Sequence, residues 1–175
     1  MSLGRRAFAI LAVVAGLATS GTRAADNNAF DFITHNEIQI AASPAQVWPH
    51  LRNVNAWKEG AKATHFDGGR DVVGERFKAS SDPTGANFYF IETVEIAPGT
   101  RWTIRLNTAK GDLMGYATWT LTAAPGGTLL RYDTFLRSQL AGGATPAGTI
   151  RAAGQRMDSE FSRLKRLIET APAKP

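Results

Sequence analysis

The sequence has no cysteine, and this absence excludes several kinds of chemistry at once. Disulfide bonds, thiolate metal sites and cysteine nucleophiles all need that residue. The three histidines, His35, His50 and His65, are each 15 residues apart and form no pair at helical spacing, so a local zinc motif is missing too. We therefore expect no metal, and a fold held together by packing alone.

Nucleotide-binding and hydrolase motifs are also absent. No G-x-G-x-x-G, Walker or G-x-S-x-G sequence occurs, so the signatures of dinucleotide enzymes, P-loop proteins and serine hydrolases are missing. We expect no cofactor. The longest apolar run, 7–18, is shorter than the roughly 20 residues of a membrane-spanning helix, so stable membrane insertion is not expected.

The N-terminal segment has the three parts of a secretory signal peptide. Arg5-Arg6 supplies the charged start, the apolar run follows it, and small residues lead to a cleavage site after Ala24. The same start fits either the general secretory route or the twin-arginine route. We expect a signal peptide at 1–24 and a periplasmic or secreted domain at 25–175.

The net charge of +5 suggests a nucleic-acid partner only while the signal peptide is counted. Cleavage removes Arg5, Arg6 and Arg23 and leaves 17 basic against 15 acidic residues. The remaining charges fall mostly on outward strand positions or on the solvated side of one helix. We therefore expect no nucleic-acid partner.

The order of secondary structure in the mature chain predicts an α+β fold. An alternating strand over 32–41 precedes the helix start Ser43-Pro44, and six shorter strand-like runs follow, separated by glycine-rich turns. Thr145-Pro146 then begins an amphipathic helix of roughly 25 residues. These patterns indicate two short helices after strand 1 and a curved antiparallel sheet of seven strands, wrapped around the long C-terminal helix.

Several motifs in this order resemble those of a known superfamily. They are 38–48 (IQIAASPAQVW), Trp57, Gly68-Gly69 with Gly74-Glu75, 94–99 (VEIAPG) and Gly126-Gly127-Thr128. The chain resembles the START and birch-pollen-allergen-like (SRPBCC) superfamily, in its polyketide cyclase/dehydratase-like branch. The resemblance implies a helix-grip fold with a hydrophobic cavity, and leaves open whether the protein carries a ligand or transforms one.

Strand alternation predicts an aromatic interior. If Val94 and Ile96 face inward, strict alternation places Glu92 on the same face and Tyr89 outside. Small residues in the first half of the long helix, such as Gly154, predict a cavity beside Gly115 and Ala117. The predicted ligand-binding residues are Trp57, Phe77, Phe88, Phe90, Glu92, Trp102, Ile104, Ala117, Trp119, Tyr132, Ile150 and Met157.

Three functions stay open at this point. The favoured one is an exported binding or carrier protein for a small hydrophobic molecule, such as a lipid or an aromatic metabolite. The second is a cyclase, dehydratase or isomerase in which Glu92 moves a proton and Tyr132 orients the substrate. The third is a secreted accessory protein that contacts another protein through outward Tyr89, Tyr116 and Phe135.

Overall fold

Seven antiparallel strands form one sheet in the order β1-β7-β6-β5-β4-β3-β2. The structure is a computed structural model that describes residues 29–60, 62–80, 88–140 and 142–170; the predicted signal peptide lies outside them. The strands are β1 (Ala29–Ile40), β2 (Lys62–Asp67), β3 (Arg76–Ser80), β4 (Phe88–Ala97), β5 (Arg101–Thr108), β6 (Leu113–Ala124) and β7 (Gly127–Gln139).

Three helices accompany the sheet: α1 (Pro44–Arg52), α2 (Val54–Trp57) and α3 (Pro146–Glu169). The start of α1 is fixed by Gln46, whose side-chain oxygen accepts the Ser43 backbone N–H at 2.9 Å. The start of α3 is fixed by Thr145, whose hydroxyl accepts the Gly148 backbone N–H at 3.1 Å. Within the described residues, no helix is long and apolar enough to cross a membrane.

The core lies between α3 and the inner face of the sheet. Helix α3 contributes a buried stripe, and the short helices α1 and α2 cover the adjoining part of the core. The buried apolar residues of the helices are Val47, Leu51, Trp57, Met157, Phe161, Leu164 and Ile168. The predicted α+β helix-grip fold, with two short helices after strand 1, is confirmed.

A β-bulge in β4 changes which side chains face this core. Thr93 pairs with Ile104 and Glu95 pairs with Thr103, so Val94 is an extra residue on the β4 side. One extra residue reverses the faces of everything before it in the strand relative to strict alternation. Ile96 and Thr93 therefore both face inward, whereas Glu92 faces outward.

The predicted inward positions of Phe88, Phe90 and Glu92 are consequently wrong. Phe88 lies under the Lys78 ammonium, 4.0 Å from its ring centroid, and Phe90 packs against the half-exposed Phe66. Tyr89, predicted to point outward, instead lines the interior with Ile91. The alternation failed because a bulge has no side-chain signature that strict counting detects.

The predicted location of the cavity is also wrong. The small residues of α3 let strand β1 approach the helix, and the Asn36 amide donates to the Gly154 carbonyl at 3.1 Å. At Gly115 a Cβ would lie 2.0 Å from the Phe135 carbonyl oxygen, because β6 and β7 pair closely there. Ile150 is 37% exposed and lies outside the core.

Candidate functional site

An apolar cavity of about 60 Å³ lies between α2 and the inner face of the sheet. Its volume is larger than one water molecule's share of the liquid, roughly 30 Å³. It is smaller than the roughly 300–1,000 Å³ of pockets that hold drug-sized ligands. The lining residues are Val54, Lys58, Ala63, Phe77, Ala79, Tyr89, Ile91, Trp102, Ile104, Leu106, Trp119 and Tyr132.

Stacked aromatic side chains form one wall of the cavity. The Trp102 and Trp119 rings stack with centroids 4.7 Å apart, and the Tyr132 ring follows at 4.9 Å from Trp119. Phe161 of α3 packs edge-on against Tyr132 at 6.1 Å. Because each ring is held by its neighbours, this wall is flat and rigid.

A buried ion pair fixes α1 to the aromatic wall. The Arg52 guanidinium lies 4.1 Å from the Trp102 ring centroid and 5.8 Å from that of Phe77. It donates to Asp71 at 2.8 Å and to the fully buried carboxylate of Glu75. These contacts anchor the loop between β2 and β3 to the end of α1, next to two cavity-lining rings.

One uncharged polar group in the wall is buried without a hydrogen-bond partner among the described residues, the Trp119 Nε1–H. An unpaired buried polar group costs about 1–3 kcal/mol, and a ligand that accepts from this N–H recovers that energy. Tyr89 and Tyr132 line the same cavity, and their hydroxyls form no hydrogen bond with another described residue.

A charged cluster adjoins the same wall. Lys58 lines the cavity, and its Nζ donates to the Glu160 carboxylate at 3.0 Å. Arg156 donates to the other oxygen of Glu160 at 3.1 Å and to the Glu59 backbone carbonyl at 2.8 Å. Glu160 is only 3% exposed, so both of its oxygens are held inside the protein by cations.

The surroundings keep the two cavity tyrosines protonated. Burial is the main cause that raises the pKa of both Tyr89 and Tyr132 above the usual value of 10.0, and the negative charge of Glu160 adds to the rise. The positive charge of Arg156 acts in the opposite direction. At neutral pH both side chains therefore present O–H groups that donate hydrogen bonds.

The structure brings part of the predicted ligand set together. Five of the predicted residues line the cavity: Phe77, Trp102, Ile104, Trp119 and Tyr132. Trp57, Ala117 and Met157 are buried in the core but do not line it. The two candidate catalytic residues are not brought together: Tyr132 lines the cavity, whereas Glu92 pairs with Arg105 at 2.6 Å on the outer face of the sheet.

Sequence reasoning missed Lys58, Tyr89 and Glu160. Both Lys58 and Glu160 are charged residues in helical segments, where charge usually indicates a solvent-exposed face. Glu160 also follows Arg156 by four residues, which is the spacing of a surface ion pair on a helix. The only signal for Lys58 is its position directly after the buried Trp57, whose ring lies 5.2 Å from the Lys58 ammonium. Within the described part of the chain, no group of three or more His, Asp or Glu side chains is placed to hold a metal ion.

A sequence profile of the polyketide cyclase / dehydrase and lipid transport family matches residues 32–169. The chain belongs to this family. The match runs from the middle of β1 to the end of α3 and thus includes every element of the cavity. Among curated proteins, no significant match to the chain is found.

Solved structures share the fold at low sequence identity. Protein MLL2253 from Mesorhizobium loti is 23% identical with a TM-score of 0.60, over 80% of this chain and 98% of that one. The ZhuI aromatase/cyclase from Streptomyces sp. R1128 is 14% identical with a TM-score of 0.60, over 80% and 94%. Protein CV1439 from Chromobacterium violaceum is 16% identical with a TM-score of 0.57, over 78% and 97%. At these identities the similarity establishes the fold.

Proposed function

We propose that the protein is an exported carrier that holds a small hydrophobic molecule in the cavity between α2 and the sheet. The observation that carries the proposal is the composition of the wall. Apolar and aromatic side chains surround the unpaired N–H of Trp119 and the side chains of Tyr89 and Tyr132. An apolar pocket with a few convergent polar groups is typical of small-molecule sites.

The small volume of the cavity is consistent with a site that widens when its ligand enters. Helix α2 has four residues, and β2 is an edge strand that pairs only with β3. These two elements cover the cavity and have fewer neighbours to hold them than the central strands. We expect the ligand to displace β2 and the Val54 end of α2 outward, while the buried Trp57 and the stacked wall of Trp102 and Trp119 stay in place.

Binding is favoured over proton transfer because the wall lacks a base suited to neutral pH. Among the described lining residues there is no carboxylate and no histidine. The raised pKa values of Tyr89 and Tyr132 keep these side chains protonated, so neither serves as a general base near neutrality. Glu92, the candidate base of the enzyme hypothesis, faces the opposite side of the sheet.

Export is supported by the N-terminal pattern of Arg5-Arg6, the apolar run at 7–18 and the small residues before Ala25. A carrier outside the cytoplasm accounts for a cavity that binds its ligand without transforming it.

One experiment tests both parts of this proposal. The whole chain is expressed, recovered from the exported fraction and measured by native mass spectrometry. We expect a chain that begins at Ala25 and carries an apolar ligand released on denaturation. An Ala63→Phe variant fills the cavity and should lose the ligand, whereas Ala97→Phe, at an exposed position of β4, should keep it. A ligand-free wild-type protein contradicts the carrier function, and a chain that stays uncleaved in the cytoplasmic fraction contradicts export.

A further inference from the structure

We infer that the molecule held in the cavity carries an anionic oxygen group, such as a carboxylate, that pairs with Lys58. This inference rests on the proposed binding function and names the class of ligand. It comes from the juxtaposition of the Lys58 side chain, which lines the cavity and ends in an ammonium bound to Glu160 beside it, with an otherwise apolar wall that also contains Tyr89, Trp119 and Tyr132.

Every polar side chain in the described wall is a hydrogen-bond donor. Lys58 and Trp119 only donate, and the protonated hydroxyls of Tyr89 and Tyr132 donate as well. The nearest carboxylate, Glu160, has both oxygens occupied by Lys58 and Arg156. Side-chain donors therefore outnumber side-chain acceptors in the described wall, where only the two tyrosine oxygens accept. This balance favours a ligand group that accepts several hydrogen bonds, and a carboxylate does so without donating.

The charged residues beside Lys58 also favour an anionic ligand group. Lys58 and Arg156 contribute two positive charges around the single negative charge of Glu160, which leaves a surplus of one positive charge beside Lys58. Glu59, at the end of the same segment, is exposed and lies 3.8 Å from Arg163 on the solvent side. The Arg52 cluster beside the Trp102 and Phe77 rings has the opposite balance, because Asp71 and Glu75 share one cation. An anionic group of the ligand is therefore favoured next to Lys58.

Lys58 is held in a position from which it reaches a ligand. Its Nζ uses one of three N–H donors on Glu160, and its side chain is 24% exposed. The Trp57 ring beneath it is fully buried and donates its own N–H to the Leu51 carbonyl at 3.1 Å, so this support is rigid. Glu160 therefore orients the Lys58 ammonium and occupies one of its N–H groups. The other two N–H groups remain to donate to a ligand oxygen.

The test compares two ligands of similar size that differ in charge. Binding of 2-naphthoate and of neutral 2-acetylnaphthalene is measured by isothermal titration calorimetry at neutral pH. We expect the wild-type protein to bind the acid at least about tenfold more tightly, because a charge-assisted hydrogen bond in an apolar site is stronger than a neutral one. High salt should weaken binding of the acid and leave the ketone unchanged.

Substitutions at Lys58 then locate the preference. Lys58→Met keeps most of the length of the side chain but removes its charge, and should abolish the preference for the acid. Lys58→Arg should retain most of it. Lys62→Met removes one positive charge from an exposed position of β2 and serves as the matched control, with the preference intact.

Each outcome bears on a different statement. Equal affinity of the wild-type protein for both probes overturns the inference and leaves the binding of apolar molecules standing. A Lys58→Met variant that keeps the full preference overturns the assignment to Lys58. If neither probe binds, the ligand extracted from the exported protein decides: a neutral molecule overturns the inference, an acid supports it, and no ligand at all overturns the proposed function.

Discussion

Glu160 and Glu92 are each held between two cations, yet they have different surroundings. Glu160 is 3% exposed and accepts from Lys58 and Arg156 beside the cavity. Glu92 is 21% exposed and lies 2.6 Å from Arg105 and 3.7 Å from Arg76, on the outer face of the sheet. Each cluster has one carboxylate and two cations, a lysine and an arginine at Glu160 and two arginines at Glu92, and the two carboxylates differ in burial.

This difference gives the two clusters different roles. Ion pairs that face solvent contribute little to stability, because water already solvates both partners. A buried carboxylate has lost its water and is stabilised by its ion-pair partners instead. The electrostatic field of those cations extends into the adjoining apolar space. The cluster at Glu160 therefore belongs to the cavity, whereas the cluster at Glu92 belongs to the surface.

Insertion of one alanine between Glu92 and Thr93 should produce the largest effect, because it reverses the faces of residues 88–92 while the rest of β4 keeps its pairing. The reversal drives Glu92 into the core and Tyr89 out of it. We expect a loss of more than about 4 kcal/mol in the free energy of unfolding, measured by urea denaturation. Deletion of Val94 is the control: it removes the extra residue and leaves the other pairs of β4 and β5 in register, so it should cost much less. An insertion variant with wild-type stability contradicts this account of β4.

Neutralising each glutamate compares the clusters directly. Glu160→Gln leaves two cations beside the cavity, and we expect a loss of about 2–3 kcal/mol in the free energy of unfolding, reduced from the value for fully buried pairs because Lys58 and Arg156 are partly solvated. Glu92→Gln should cost less than about 1 kcal/mol. The free energy of unfolding is measured by urea denaturation at neutral pH. Equal losses of unfolding free energy in the two variants contradict the proposed difference between the clusters.

Tyr132→Phe should have the smallest effect, and only at alkaline pH. Because burial raises the pKa of Tyr132, the unfolded chain loses the tyrosine proton above about pH 10 while the folded chain keeps it. The free energy of unfolding therefore falls with rising pH, and the variant should fall less steeply, by at most about 1.4 kcal/mol per pH unit. The difference between the two proteins should be constant from pH 7 to about pH 8. A parallel decline above pH 10 contradicts burial of this hydroxyl.

Much of the fold was predictable from local patterns. Turns containing Gly99, Gly111 and Gly126, all at positive φ, separate the strands of the meander, so strand ends could be placed within about two residues. Alternation also predicted the inward side chains of β5 and β7, including Trp102, Ile104 and Tyr132. The alternation holds because β5 and β7 pair with β6 without a bulge at Trp102, Ile104 and Tyr132.

The candidate site was predicted only in part, because its decisive residues depend on long-range contacts. Tyr89 reached the interior through a bulge defined by pairing with β5, and Glu160 became buried because Lys58, about 100 positions earlier, meets it across the cavity. Gly154 allowed close packing against Asn36 where the sequence pattern indicated space. Local periodicity contains no information on any of these three contacts.

By itself, the sequence determined the order of elements, the turns between them and the apolar content of the interior, since these follow from backbone preferences and from the spacing of apolar residues. Only the tertiary structure decided where the interior stays unfilled and which charges adjoin it. The physical reason is that burial and charge pairing are properties of residues distant in sequence, and a single extra residue in β4 reverses them.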